Sequence, residues 1–208
     1  MGLRYSFQLV YPAIRISGVL VDIGRMRPNC DRGRPLAPAW NDPQTAMDAT
    51  DLTHDRPLFC EVSLLFPAVD EVRAYYPLGD VTTEWTEGRV ECLPVGFIDL
   101  EVRIGVKYAL VGFRARTSRM SDLFRGTPAV WDRFSALLAS SGGLIGLFDG
   151  VDRCGIARYP LLPEGHEAVE FDFFDFVLEE RDNYWHIDTD RYAEAVLQAP
   201  RVAGRIVG

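Results

Sequence analysis

The densest set of metal-type ligands in the sequence is His186-Ile187-Asp188-Thr189-Asp190. In an extended segment residues two apart share a side, so one imidazole and two carboxylates would face the same way. Such a set suits a first-row divalent ion with open positions, as in a metal-dependent hydrolase. A structural reading competes with it. Asp188 and Asp190 stand where the start of a helix accepts acids, and His186 simply flanks Trp185.

Asp172 and Asp175 lie among phenylalanines. Desolvation there would raise carboxyl pKa values and suit the pair to general acid and base work. Against this, Glu170 and Asp172 alternate with Phe171 and Phe173, the pattern of a strand with one wet face. A third set is cationic. Lys107, Arg114, Arg116 and Arg119 have no acid among them, and Arg114, Arg116 and Arg119 could clamp a phosphate or carboxylate through forked hydrogen bonds. The same cations also read as a solvated face, or as an internal partner for the acidic C-terminal segment.

Several signatures are missing. The sequence holds no GxxxxGK[ST], no GxGxxG after a strand, no GxSxG and no HExxH. Its three histidines, His54, His166 and His186, are thin material for imidazole-based catalysis. Cys30, Cys60, Cys92 and Cys154 include no CxxC pair, and Lys107 is the only lysine available as an amine nucleophile. The expectation is therefore no catalytic residue, no cofactor and no metal.

Charge points elsewhere. Lys+Arg is 22 against Asp+Glu 30, a net charge of −8. That balance disfavours nucleic acid and an anionic membrane surface, both of which are bound through basic residues. The deficit is concentrated: residues 164–194 contain eleven acids against Arg181 and Arg191. Phe174, Phe176, Tyr184, Trp185 and Tyr192 are interleaved with those acids and are expected to stand beside them at the surface. Carboxylates that steer and rings that anchor make an interface for a basic protein. The expected contact residues are Glu179, Glu180, Asp182, Tyr184, Trp185, Asp188 and Asp190. The competing reading is a solvated acidic edge over buried rings.

These features favour a non-enzymatic binding protein that occupies a basic partner. An immunity or inhibitor protein blocking a cationic bacterial toxin is one specific case. The alternative is a carboxylate- or metal-dependent hydrolase with its site near residues 186–190.

The elements that would position these residues can be read from periodicity. Leu3 to Val10 alternates as a strand, and the β-branched stretch Ile14 to Ile23 suggests a second. Residues 24–57 carry Pro28, Pro35, Pro38, Pro43 and Pro57 and read as a long loop. Leu58 to Phe66 is a strand, Val69 to Tyr76 a short helix, and Arg89 to Ile104 with Tyr108 to Thr117 a hairpin about Gly105-Val106-Lys107. A helix over Thr127 to Gly143 starts at Pro128 and ends at Gly142, where positive φ is needed. Leu144 to Phe148 and Gly155 to Tyr159 form a second hairpin, and Val169 to Leu178 a further strand. A last helix starts near Asp188 and stops at Pro200, leaving 201–208 as a loose tail.

With 208 residues, 48% apolar and 25% charged, the chain can bury a core without metal or disulfide staples. The expectation is one α+β domain, a mainly antiparallel sheet with two or three helices packed on one face. The N-terminal stretch lacks a continuous apolar signal region, and no run of about 18 apolar residues occurs, so a cytoplasmic location is expected.

Overall fold

Alternation along Ser6–Pro12 builds β1, which sends Phe7, Leu9 and Tyr11 to one face of a sheet and Gln8 and Val10 to the other. In the computed structural model the described residues are 5–28, 57–76, 85–87, 89–149, 158–160, 167–169, 173–181, 184–199 and 201–203.

The remaining strands are β2 (Leu58–Pro67), β3 (Trp85–Glu87), β4 (Val90–Ile104), β5 (Tyr108–Ala115), β6 (Ile145–Asp149), β7 (Arg158–Pro160), β8 (Glu167–Val169), β9 (Val177–Arg181), β10 (Tyr184–Ile187) and β11 (Arg201–Ala203). The main sheet runs β11-β8-β7-β6-β1-β5-β4-β2, with β3 added to β4, and its pairings are antiparallel. β9 and β10 form a separate two-stranded ribbon. Together with the five helices among the described residues this is an α+β fold.

Helices cover both faces. On the larger face lie α1 (Ile16–Arg25), α2 (Asp70–Tyr75), α3 (Ser118–Gly126) and α4 (Pro128–Ser140). α4 begins with Pro128 in its first turn, presents Val130, Phe134 and Leu137 inward, and is followed by Gly142 at φ +72°. The Phe134 ring lies 4.5 Å from that of Phe7 and 4.6 Å from that of Phe113, at the centre of the core. α5 (Thr189–Gln198) packs on the opposite face, where Tyr192, Ala193 and Val196 meet Val10, Leu110 and Leu147.

The described residues hold five helices on two faces where two or three on one face were expected, and four segments also depart from the sequence expectations. Ile14 to Ile23 is not a strand: after a 3-10 turn at Ala13–Arg15, α1 buries Ile16, Val19 and Ile23. The helical spacing prevails because one stripe can then dock on the sheet. α3 was not anticipated. It is capped by Thr117, whose side chain accepts from the Met120 amide at 3.1 Å, and it buries Met120, Leu123 and Phe124.

The aromatic run does not continue as a strand, because Phe173–Phe176 forms a 3-10 turn before β9. Arg201–Ala203 is not loose but pairs with β8 as β11. Of the proline-rich 24–57 segment, Met26 accepts a hydrogen bond from the Leu65 amide at 2.7 Å through its carbonyl, and residues 29–56 lie outside the described residues.

Candidate functional site

The C-terminal acids divide into those that hold the fold and those that face outward. Asp188 is the N-cap of α5, and its carboxylate accepts from the Arg191 amide at 3.0 Å. Asp190 reaches across to the β4–β5 turn. Its Oδ1 accepts from the amides of Lys107 and Tyr108, both at 2.9 Å, and its Oδ2 accepts from Val106 at 2.7 Å. The turn is shaped for this carboxylate, since a Cβ on Gly105 would lie 2.4 Å from Asp190 Oδ1. Partial burial pulls the Asp190 pKa up, but the three amides and the Lys107 ammonium outweigh it and hold the carboxyl below its ordinary value. Lys107 donates to Glu194 at 2.8 Å, and that bond with the nearby charge raises the lysine pKa.

Further contacts seat α5. Tyr192 is fully buried, and its hydroxyl donates to Gln8 Oε1 at 2.6 Å. Its ring meets Phe176 edge-on at 5.4 Å, and the Arg191 guanidinium lies 5.6 Å from the Phe176 ring centre. Phe176 and Tyr192 therefore correct the expectation of surface rings: both belong to the core beneath α5.

The ribbon carries the outward charge. Glu179 and Glu180 on β9 are exposed, as is Asp175 in the preceding turn. Between them Leu178 is 67% exposed. Trp185 stands opposite Glu180 in register, Tyr184 opposite Arg181, and His186 opposite Glu179. Asp182 lies outside the described residues, as do Phe171 and Asp172. Thus Glu179 and Glu180 come together on one hairpin with Tyr184 and Trp185 as backbone partners, whereas Asp188 and Asp190 belong to the α5 anchor.

His186, Asp188 and Asp190 do not form a common set of ligands, because the two carboxylates cap a helix and a turn. Among the described residues no group of three His, Cys, Asp or Glu is placed to hold a metal ion. Arg114 and Arg116 lie on the sheet face opposite α3 and α4, where acids meet them: Arg116 with Glu61 and with Asp99 at 3.3 Å, Arg114 with Glu101 at 3.8 Å. Arg119 is elsewhere, in α3, donating to the Ala74 carbonyl at 2.7 Å with its guanidinium 5.6 Å from the Tyr75 ring centre. The acids facing Arg114 and Arg116 come from β2 and β4, not from the C-terminal segment.

Sequence reasoning counted Asp175 among the acids of the segment without placing it in the contact set, and passed over Leu178 as a surface group. A leucine directly before two glutamates in a short strand was the available signal. Cys60 is buried in the core; burial pushes its thiol up to about 12, against the lowering effect of Arg27 and with Asp99 adding to the rise.

No family model, no curated protein and no solved structure matches this chain. Among the described residues no helix is long and apolar enough to cross a membrane.

Proposed function

We propose that this chain is a non-enzymatic binding protein whose acidic C-terminal ribbon occupies a basic protein partner in the cytoplasm. An immunity or inhibitor protein acting on a cationic toxin is the specific form of this reading. The observation that carries it is the exposed run Leu178, Glu179 and Glu180 on a ribbon separate from the main sheet, with exposed Asp175 in the turn that leads into it. An apolar contact flanked by charge is how protein interfaces combine affinity with steering. The chain's net charge of −8 extends the same field over longer range.

The test compares two charge reversals in tagged protein purified from cells that make it. One is Glu179→Lys with Glu180→Lys. The control is Asp122→Lys with Asp132→Lys, at exposed positions on α3 and α4. A protein of high isoelectric point that stays with the wild type and the control, and is lost from the ribbon variant, is the expected result. Equal retention by both variants, or no such protein on the wild type, overturns the reading.

A further inference from the structure

We propose that the cleft between α1 and the C-terminal end of α4 binds a small zwitterion, a carboxylate and an ammonium on one molecule the size of a free amino acid. The cleft has a volume of about 300 Å³. Arg15, Gly18 and Asp22 line it from the α1 side, and Ser140, Ser141 and Gly142 from the end of α4. Arg15, Gly18 and Asp22 are spaced by three and four residues, so they follow one stripe of the helix.

Opposite charges line this cleft without closing on each other. The Arg15 guanidinium stands against Gly142, where a Cβ would lie 3.7 Å from its Nε. Arg15 is exposed and makes no hydrogen bond or ion pair among the described residues. Asp22 is held by its neighbours: Ser141 Oγ donates to its Oδ2 and Arg25 Nη1 to its Oδ1, both at 2.7 Å. A carboxylate offers about four acceptor positions, so Asp22 can take a further donor. Gly18 keeps the floor between the two charges bare. It lies inside α1, where glycine is the least favourable residue after proline, and a Cβ there would meet nothing within 4 Å. Each charge has an ordinary use: a cation complements the last carbonyls of α4, and Asp22 seats Arg25. Neither use calls for a bare helix position between them. Tyr11 adds a polar group without a partner. Its hydroxyl is fully buried on the sheet face that α1 covers, and burial, then the Asp22 charge, raise its pKa.

The charges define the ligand class. Arg15 presents a fork that matches a carboxylate. Asp22 and the partial negative charge at the end of α4 attract an ammonium. With Arg25 included there are two cations to one acid, and the α4 carbonyls offset part of that surplus. A dianion would confront Asp22 and a plain amine would confront Arg15, whereas a zwitterion satisfies both. Two helical turns, about 10 Å of axis, separate the backbones of Arg15 and Asp22, which favours an ammonium several bonds from the carboxylate.

The experiment titrates the purified full chain with glycine, 4-aminobutanoate and 6-aminohexanoate by isothermal titration calorimetry, with butanoate and butylamine as single-charge controls. One of the zwitterions should bind with a Kd below about 1 mM, at least tenfold tighter than either control. Arg15→Gln should weaken that binding at least tenfold by removing the fork, and Gly18→Leu as much by filling the cleft. Gly18→Ala should melt at or above the wild-type temperature, because its methyl group meets nothing and alanine favours the helix. No zwitterion with a Kd below about 1 mM, or a control that binds as tightly, would overturn the proposal. So would unchanged binding in Arg15→Gln or in a folded Gly18→Leu, or a lower melting temperature for Gly18→Ala, which would make Gly18 a packing residue. If Gly18→Leu does not fold, Arg15→Gln decides. The ribbon variant Glu179→Lys, Glu180→Lys should bind the zwitterion as the wild type does. Loss of binding there would move the ligand to the ribbon and overturn the cleft, so the two readings stand or fall separately.

Discussion

Replacing Asp190 by asparagine should loosen the anchor that holds α5 to the sheet. The carboxylate accepts three amide hydrogen bonds from residues 106–108. Hydrogen bonds to a charged acceptor contribute about 1.5–3 kcal/mol each, and less where water can take over. Val106 and Lys107 are exposed, so their amides can be rehydrated. In the asparagine variant one oxygen can still serve Lys107 and Tyr108, while its NH₂ group would confront the Val106 amide donor to donor. The loss of charge also weakens the helix N-terminus by about 0.5 kcal/mol. Together these give about 2 kcal/mol at pH 7, or about 30-fold in the folded-to-unfolded ratio.

The pH dependence has a definite sign. The folded-state pKa of Asp190 is depressed, so its contribution is present above the unfolded value near 3.8 and is lost as pH falls through the folded value. Urea unfolding followed by circular dichroism should show the gap between wild type and variant at pH 7 and its closure as the carboxyl is protonated in acid. Gly105→Ala should cost a similar amount and add little to Asp190→Asn, since each disrupts the same contact. A gap below about 0.5 kcal/mol at pH 7, or a gap that persists in acid, would refute the anchoring role.

Two further outcomes test the packing. Phe134→Ala removes the ring shared by Phe7, Phe66, Phe113 and Phe124 and should destabilise by about 3–5 kcal/mol in the same unfolding assay. Cys60, with its thiol pushed up to about 12, should stay unlabelled by iodoacetamide at pH 8 until the protein unfolds, as read by peptide mass mapping.

Local signals were legible where a residue type has one structural use. Pro128 and Gly142 bounded α4, Asp188 marked the start of α5, and the turn at 105–107 joined β4 to β5. β-Branched content misled at α1, where burial of one stripe outweighs the weak strand preference of valine and isoleucine. α3 is short, and its polar residues hide the spacing of Met120, Leu123 and Phe124.

The site was harder to read because its logic is long-range. An acid in the first turn of a helix looks like a local dipole effect, yet Asp190 binds amides 82 to 84 residues away. Nor does composition tell which rings lie under a helix. Phe176 and Tyr192 are buried because α5 packs against the second face of the sheet, with Val10, Leu110 and Leu147. Gly96 inside a strand was the one visible hint of the β4 bulge beside Phe97.

The association rate of the purified pair, measured across ionic strength, tests the central claim most directly. With the ribbon as the steering surface, raising salt from about 0.05 to 0.5 M should slow association at least tenfold in the wild type. The Glu179→Lys, Glu180→Lys variant should be slow at low salt and almost insensitive to salt. Wild-type and variant rates that match at every ionic strength would contradict the account.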